Sequence, residues 1–427
     1  MNVTQTIRMI EEGALDARLC ALYGKTAVGA QRARYIGALS AFAARFGEER
    51  EVSLFSVPGR SELSGNHTDH NRGCVIAAAV DCDIIAVAAP TETNTVCLLS
   101  EGFPEDRVAL DTYTAPNEAR FGRSDALIAG VCAGFLAHGY RVGGFDAYTT
   151  SNVPKGSGLS SSAAFEDMVG NIENHLYNEG RVQAPELAII SQYAENRFFG
   201  KPCGLMDQTA CAVGGVVAID FARPKAPEIR KIDFDLDAAG YALCIVNTGG
   251  NHADLTPDYA AVPAEMHAVA RALGCEVLRE ADEAKFHTVL PHLREELGDR
   301  AVLRALHFFA ENRRVAAQCE ALLRGDVTAF LSLVAASGRS SFCYLQNVYS
   351  PAHPTEQGIS LALALAEEFL TPLGGVCRVH GGGFAGTVQA YVPLAAVARF
   401  ISHMDAVFGK GATAALRIRA DGAVKLL

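Results

Sequence analysis

The sequence predicts a two-domain protein of mixed helix and strand, and three observations carry that expectation. The chain has 427 residues, too many for one ordinary core, so two units of roughly 200 residues each are the default. Its first half alternates near-continuous apolar runs with apolar residues at helical spacing. A glycine- and serine-rich loop, V-P-K-G-S-G-L-S-S-S-A-A (153–164), runs straight into one of the helical patterns. The expected organisation is a helical extension over 1–50, an N-terminal domain over 51–225 and a C-terminal domain over 226–427.

Residues 1–50 read as helices, with Val3, Ile7, Ile10 and Ala14 on one stripe and Tyr35, Ile36, Leu39 and Phe42 on another. From Val52 the pattern turns to strand. Val52, Leu54 and Phe55 lead into Pro58-Gly59-Arg60 and a polar segment ending at Gly73. Val75–Val80 and Ile84–Ala88 then read as two well-buried strands. A helix from about Asp125 to His138 and a strand from about Phe145 to Thr150 precede the glycine-serine loop. The helix after it carries Phe165, Met168, Val169, Ile172 and Leu176 on one face.

Glu186–Phe198 reads as a further helix, stopped by Gly200, with a turn-rich segment over Lys201–Gln208 and a strand over Val213–Asp220. The polar, proline-containing stretch Phe221–Lys231 marks the domain boundary. Beyond it come a strand (Tyr241–Val246) and two long helices (about Ala261–Leu273 and Val302–Leu323). A second glycine-rich turn, V-H-G-G-G-F-A-G-T-V-Q-A-Y-V (379–392), then enters a strand.

The formal charge of −11 argues against a nucleic-acid backbone or an anionic membrane as partner. No apolar run approaches the ~20 residues that span a bilayer. Met1–Ala14, with Arg8, Glu11 and Glu12, lacks the apolar core of a signal peptide. Twelve cysteines without a C-x-x-C pair suit free thiols in a reducing cytoplasm. A monomer is plausible.

In the glycine-serine loop, Gly156 and Gly158 allow left-handed or crowded backbone, and the hydroxyls of Ser160, Ser161 and Ser162 can satisfy unpaired N–H groups at the helix start. The helix end offers donors and a positive dipole to a phosphate. It is not a Walker loop. Gly24-Lys25-Thr26 has Leu19 where that motif needs its first glycine.

His67-Thr68-Asp69-His70 could contribute zinc ligands, but no second cluster of suitable spacing accompanies it. With Asn66, the segment offers the donors and acceptors that suit a sugar's hydroxyls. Arg60 follows a strand and can act as a fixed cation beside developing charge. Asp207 is a carboxylate in a glycine-containing turn. Glu195, together with a serine hydroxyl, supplies the oxygen ligands that Mg²⁺ prefers.

Four separated segments resemble the GHMP kinases and, within them, the galactokinase family. P-G-R-S-E-L-S-G-N-H-T-D-H-N-R-G (58–73) is similar to the signature G-R-x-N-L-I-G-E-H-T-D-Y-N-x-G. The glycine-serine loop is similar to the ATP loop P-x-G-x-G-L-S-S-S-A. A-E-N-R-F-F-G-K-P-C-G-L-M-D-Q (194–208) matches the segment that carries the magnesium glutamate and the catalytic aspartate. H-G-G-G-F-A-G (380–386) resembles the third motif, G-[AG]-G-F-G-G.

The resemblance implies a two-domain α+β fold with the active site in the interdomain cleft. It implies MgATP-dependent phosphorylation of the C1 hydroxyl of galactose. Asp207 would stand near the attacking hydroxyl, with Arg60 beside it. Pro154, Lys155, Gly156, Ser157, Gly158, Leu159, Ser160, Ser161 and Ser162 would wrap the ATP phosphates, with Gly382 and Gly383 closing the cleft. Ser162 and Glu195 would hold Mg²⁺. Asn66, His67, Asp69, Gly204 and Tyr259 would contact the sugar.

The chain departs from the motifs at Glu62 (asparagine in the signature), Asn66 (glutamate), His70 (tyrosine) and Ala385 (glycine). The family's glutamate at position 66 accepts a hydrogen bond from the sugar's C6 hydroxyl, and an amide accepts more weakly. Alternatives are a kinase for another hexose or a galactose derivative, another GHMP small-molecule kinase, and a non-catalytic sugar and ATP sensor. Retention of Arg60, Glu195 and Asp207 together argues against the sensor.

Overall fold

The computed structural model describes residues 1–154, 158–224, 226–250 and 255–427. Lys155, Gly156 and Ser157 of the expected ATP loop lie outside the described residues. The chain opens with three helices, α1 (Val3–Glu11), α2 (Asp16–Tyr23) and α3 (Val28–Phe46), as the first 50 residues predict.

A sheet follows, built from β1 (Ser53–Ser64), β2 (Cys74–Pro90), β3 (Thr95–Ser100), β4 (Asp106–Ala109), β5 (Phe145–Ser151), β6 (Val216–Asp220) and β7 (Glu228–Ile232). With the last strand, β12 (Val424–Lys425), its spatial order is β12-β1-β2-β5-β3-β4, with β6 branching from β2 and β7 pairing with β6. β12 returns from the chain's C-terminus to pair with β1. The two strands expected over 75–88 are one strand. β2 runs unbroken, and its register against β1 shifts between Pro58, opposite Asp83, and Arg60, opposite Ala79, so that Val80, Asp81 and Cys82 are absorbed as a bulge.

β2 explains its own apolar run. Ile84, Ala86 and Ala88 join the core beneath the helices α4 (Ser124–Ala137), α5 (Ser161–Tyr177) and α6 (Ala184–Ala194), whereas Ile85, Val87 and Ala89 pack against α1–α3. Side chains alternate across a strand, so a strand covered on both faces is apolar throughout. The N-terminal helices are thus one layer of this unit.

Between α6 and β6 the chain forms a π-helical turn, Glu195–Phe199, and then a short helix, α7 (Met206–Val213). This corrects the expected turn. Asp207 sits in the first turn of α7, whose last residue, Val213, is where the sequence places the start of the following strand.

A second sheet, order β11-β8-β10-β9, is formed by β8 (Tyr241–Asn247), β9 (Val376–His380), β10 (Thr387–Pro393) and β11 (Thr413–Leu416). Three helices, α8 (Thr256–Ala272), α9 (Glu283–Leu297) and α10 (Asp299–Leu323), make a separate cluster around Met266, Phe286 and Phe308. α11 (Val327–Ser340) packs on β9, while α12 (Gly358–Leu370) and α13 (Val397–Phe408) enclose Phe400 and Met404.

Candidate active site

The interior of β1, the loop entering α5 and the start of α7 converge on one salt bridge. Arg60 lies on β1 and is 7% exposed. Its Nε donates to Asp207 Oδ1 at 2.7 Å and its Nη2 to Asp207 Oδ2 at 2.6 Å. Its Nη1 donates to the Gly158 carbonyl, so the guanidinium joins the catalytic candidate to the glycine-serine loop. Such a two-pronged pair fixes orientation as well as charge.

Ser160 completes the group, and not as expected. It precedes α5 in a left-handed conformation, φ 56°, and makes no side-chain cap bond. Its hydroxyl donates to Asp207 Oδ2 instead. A non-glycine residue held at positive φ costs free energy that surrounding contacts must offset. Leu159 is buried, and its carbonyl accepts from the Arg60 amide at 3.0 Å. Pro154 and Ser161 are exposed and Ser162 is half-buried.

Burial raises the Asp207 carboxyl, but the Arg60 charge, the Arg60 and Ser160 hydrogen bonds and Lys201 together hold it below the usual carboxylate range. The Asp207 side chain remains 28% exposed. The centre therefore holds an ionised carboxylate with an open edge.

Behind it lies a second acidic group. Glu195, 2% exposed, accepts from Lys201 Nζ at 2.8 Å and from Gln208 Nε2 at 2.8 Å. Gln208 Nε2 also donates to Glu166 Oε2 at 3.0 Å. Burial, then the neighbouring Glu195 charge, pushes the Glu166 carboxyl well up. Glu166 Oε1 is buried with no hydrogen-bond partner among the described residues. Two carboxyl groups share one amide here, and their oxygens are of the hard kind that Mg²⁺ prefers, though the raised Glu166 would have to give up its proton to serve as a ligand.

The expected sugar residues meet one another and the glycine turn. The Asp69 carboxylate faces Gly204, where an added Cβ would come within 2.2 Å of Asp69 Oδ2, so a side chain there would push the carboxylate aside. His67 has φ 58°, and its Nε2 lies 2.9 Å from the Gly382 carbonyl. Burial, then repulsion from His70, pushes the His67 imidazole down to about 4, so it is neutral at physiological pH. The Tyr259 hydroxyl donates to the Gly383 carbonyl at 2.8 Å. A Cβ on Gly381 would reach 4.0 Å from Gly158 Cα, so the 381–383 turn meets the glycine-serine loop.

Asp69, Gly204, Asp207, Arg60, Gly158, Gly381–Gly383 and His67 are therefore neighbours around one site. Sequence reasoning missed Lys201, Gln208 and Glu166 there. Lys201 and Gln208 flank the C-G-L-M-D segment, and Glu166 follows S-S-S-A-A-F, so proximity to a motif was their available signal.

The comparisons with known proteins agree with this geometry. Residues 126–215 match the GHMP kinases N terminal domain, and residues 40–90 match the galactokinase galactose-binding signature. The human galactokinase is 32% identical over 392 residues, covering 90% of this chain and 94% of that protein. This chain belongs to the galactokinase family. The Streptomyces coelicolor galactokinase is 31% identical over 379 residues, covering 87% of this chain and 92% of that protein. Among solved structures, Lactococcus lactis galactokinase complexed with galactose superposes with a TM-score of 0.76 at 26% identity, over 91% of this chain and 99% of its own. Methanococcus jannaschii mevalonate kinase shares the fold, with a TM-score of 0.61 at 15% identity, over 86% and 98%. A galactokinase-family chain is a phosphotransferase with a hydroxyl acceptor. Among the described residues no helix is long and apolar enough to cross a membrane.

Proposed function

We propose that this galactokinase-family chain transfers the terminal phosphoryl group of ATP to the C1 hydroxyl of galactose, giving galactose 1-phosphate. The observation that carries the reading is the shared contact of Arg60, which binds Asp207 with two nitrogens and the Gly158 carbonyl of the phosphate loop with the third. One guanidinium thus fixes the acceptor-side carboxylate relative to the phosphate-side loop.

Phosphoryl transfer depends mostly on alignment and on stabilising charge. Asp207 orients the sugar hydroxyl by accepting its hydrogen bond. A carboxylate held low by Arg60 is a weak proton acceptor, so the proton moves late, as the oxygen becomes an ester oxygen. Arg60 also steadies negative charge on that oxygen. Ser160 keeps the carboxylate turned toward the loop.

Glu195 and Ser162 are the proposed Mg²⁺ ligands, with Glu166 close by. Lys201 is 58% exposed and long enough to swing away from Glu195. When bound, Mg²⁺ supplies neutralising charge to the phosphates. His67, Asp69, Gly204 and Tyr259 are proposed for the sugar. Pro154, Gly158 to Ser162, Gly382 and Gly383 are proposed for ATP, with Lys155, Gly156 and Ser157. The proposed division remains 1–50, 51–225 and 226–427, with β7 and β12 as the segments of the last part that join the first sheet.

The test is ATP turnover against a panel of hexoses that includes galactose, N-acetylated and 6-deoxy sugars. Galactose-dependent ADP release with galactose 1-phosphate as product is expected. Turnover restricted to another sugar would replace the substrate, and no turnover with any sugar would favour a binding protein.

A further inference from the structure

The galactokinase signature carries an amide at position 62 and an acid at position 66. This chain carries them the other way round, as Glu62 and Asn66. Asn66 is wholly buried. Its Nδ2 donates to Glu62 Oε1 at 3.1 Å and to the Gly381 carbonyl at 2.7 Å. Its Oδ1 accepts from Ser341 Oγ at 3.2 Å and from Asn347 Nδ2 at 2.8 Å. An amide has two N–H donors and two acceptor lone pairs. All four are taken by the protein, which leaves this side chain nothing to offer a sugar hydroxyl.

Glu62 is as deeply committed. It is 5% exposed, and its Oε1 also accepts from Nη2 of the wholly buried Arg378 at 2.9 Å. Arg378 Nη1 donates to the Leu63 carbonyl at 2.7 Å, which ties β9 to β1. The acid therefore has a buried cation at 62, and the amide beside it bridges to the glycine turn.

The remaining partners show what the pair holds. Asn347 Nδ2 also donates to the Gly382 carbonyl at 3.1 Å, and its own carbonyl accepts from the Phe384 amide at 2.5 Å. The Asn66 backbone carbonyl lies 2.9 Å from His307 Nε2. Strand β1, the 341–347 segment and the 381–383 turn are thus fastened at one point, within reach of Gly158.

We propose that Glu62 and Asn66, bonded directly to each other and anchored at Glu62 by Arg378, act as one coupled unit that positions the 381–383 turn against the phosphate loop. Both are positioning residues, and Asn66 is not a sugar ligand. Either residue changed alone leaves a buried charge or amide without its partner, or sets two acids side by side. Exchanging both restores one acid and one amide. What the turn does rests on the kinase reading above; the coupling itself does not.

The test is a four-member cycle of wild type, Glu62→Asn, Asn66→Glu and the double variant, with steady-state kinetics and galactose affinity measured calorimetrically without nucleotide. Each single change should lower kcat/KM for ATP at least tenfold while galactose Kd stays within threefold. The double variant should return to within threefold of wild type in both. A single variant whose galactose Kd rises tenfold with ATP parameters intact would make Asn66 a sugar ligand and overturn the inference. Singles at wild-type activity, or a double no better than the worse single, would overturn it too. If the singles fold poorly, Glu62→Gln keeps the volume and removes the charge, and melting midpoints across the cycle report the same recovery or its absence without any turnover. Wild-type protein inactive on galactose would strike the kinase reading and leave those midpoints to decide the coupling.

Discussion

Two aspartate–arginine centres border the same first sheet and do different work. Asp83, on β2, is wholly buried and takes hydrogen bonds from Tyr23, Ser56, Arg34 and Arg419. Those partners come from α2, β1, α3 and the segment leading to β12, so one carboxylate ties the N-terminal helices and the C-terminal return to the sheet. Asp207 has Arg60 and Ser160, and its side chain is 28% exposed. The chemistry is alike, and the difference is saturation. A carboxylate enclosed by donors holds structure, while one with an open edge can meet a substrate.

The largest effect should come from removing the open charge. Asp207→Asn should lower kcat by about 10²–10⁴-fold, the usual scale for a group that handles the reacting hydroxyl. ATP affinity should stay near wild type. Single-turnover assays and nucleotide titrations check this, and near-normal turnover would remove Asp207 from the reaction.

Asp83→Asn should break the comparison from the other side. It leaves the guanidiniums of Arg34 and Arg419 beside an uncharged amide, and removing one partner of a buried pair costs roughly 3–5 kcal/mol. Denaturant titration should show that loss, while activity per folded molecule stays within about threefold. A variant that stays stable yet loses turnover would merge the two centres into one.

A smaller effect is expected at the proposed metal group. Glu195→Gln should raise the Mg²⁺ concentration needed for half-maximal activity by about tenfold, with little change in galactose KM. Magnesium titrations of both proteins decide it, and an unchanged requirement would move the metal away from Glu195.

The smallest expected change is with pH. Arg60 holds the Asp207 carboxyl low, so its contribution to stability is full above the ordinary carboxylate range and is lost only as pH falls through the depressed value. Asp207 is thus ionised across the working range, and His67, pushed down to about 4, is neutral across it. Neither group should impose an acid limb on kcat/KM between about pH 5 and 8. A midpoint near 6 that vanishes in Asp207→Asn would show that Arg60 does not hold the carboxyl down.

Much of this was legible in the chain itself. The four motif segments marked Arg60, Asp207, Gly158 and the 381–383 turn, and periodicity marked α3, α5 and α10. What failed was local ambiguity. α7 is eight residues long with an apolar tail, so it read as turn and strand. β2 reads as two strands because the polar Asp81-Cys82-Asp83 interrupts its apolar run, and a bulge of Val80, Asp81 and Cys82 opposite Gly59 carries the strand across it. Ser160 looked like a helix cap and bonds Asp207 instead, a choice that depends on a residue 47 positions away.

The sequence by itself determined the family, the chemistry on offer and the alternation of elements, because these rest on residue type and short-range spacing. Only the tertiary structure decided which carboxylate stays open and which is enclosed. It also decided whether Asn66 faces a ligand or other protein groups. Those outcomes depend on contacts between segments as distant as Asn66 and Asn347, 281 positions apart, and burial and partner count follow from packing that no local pattern encodes.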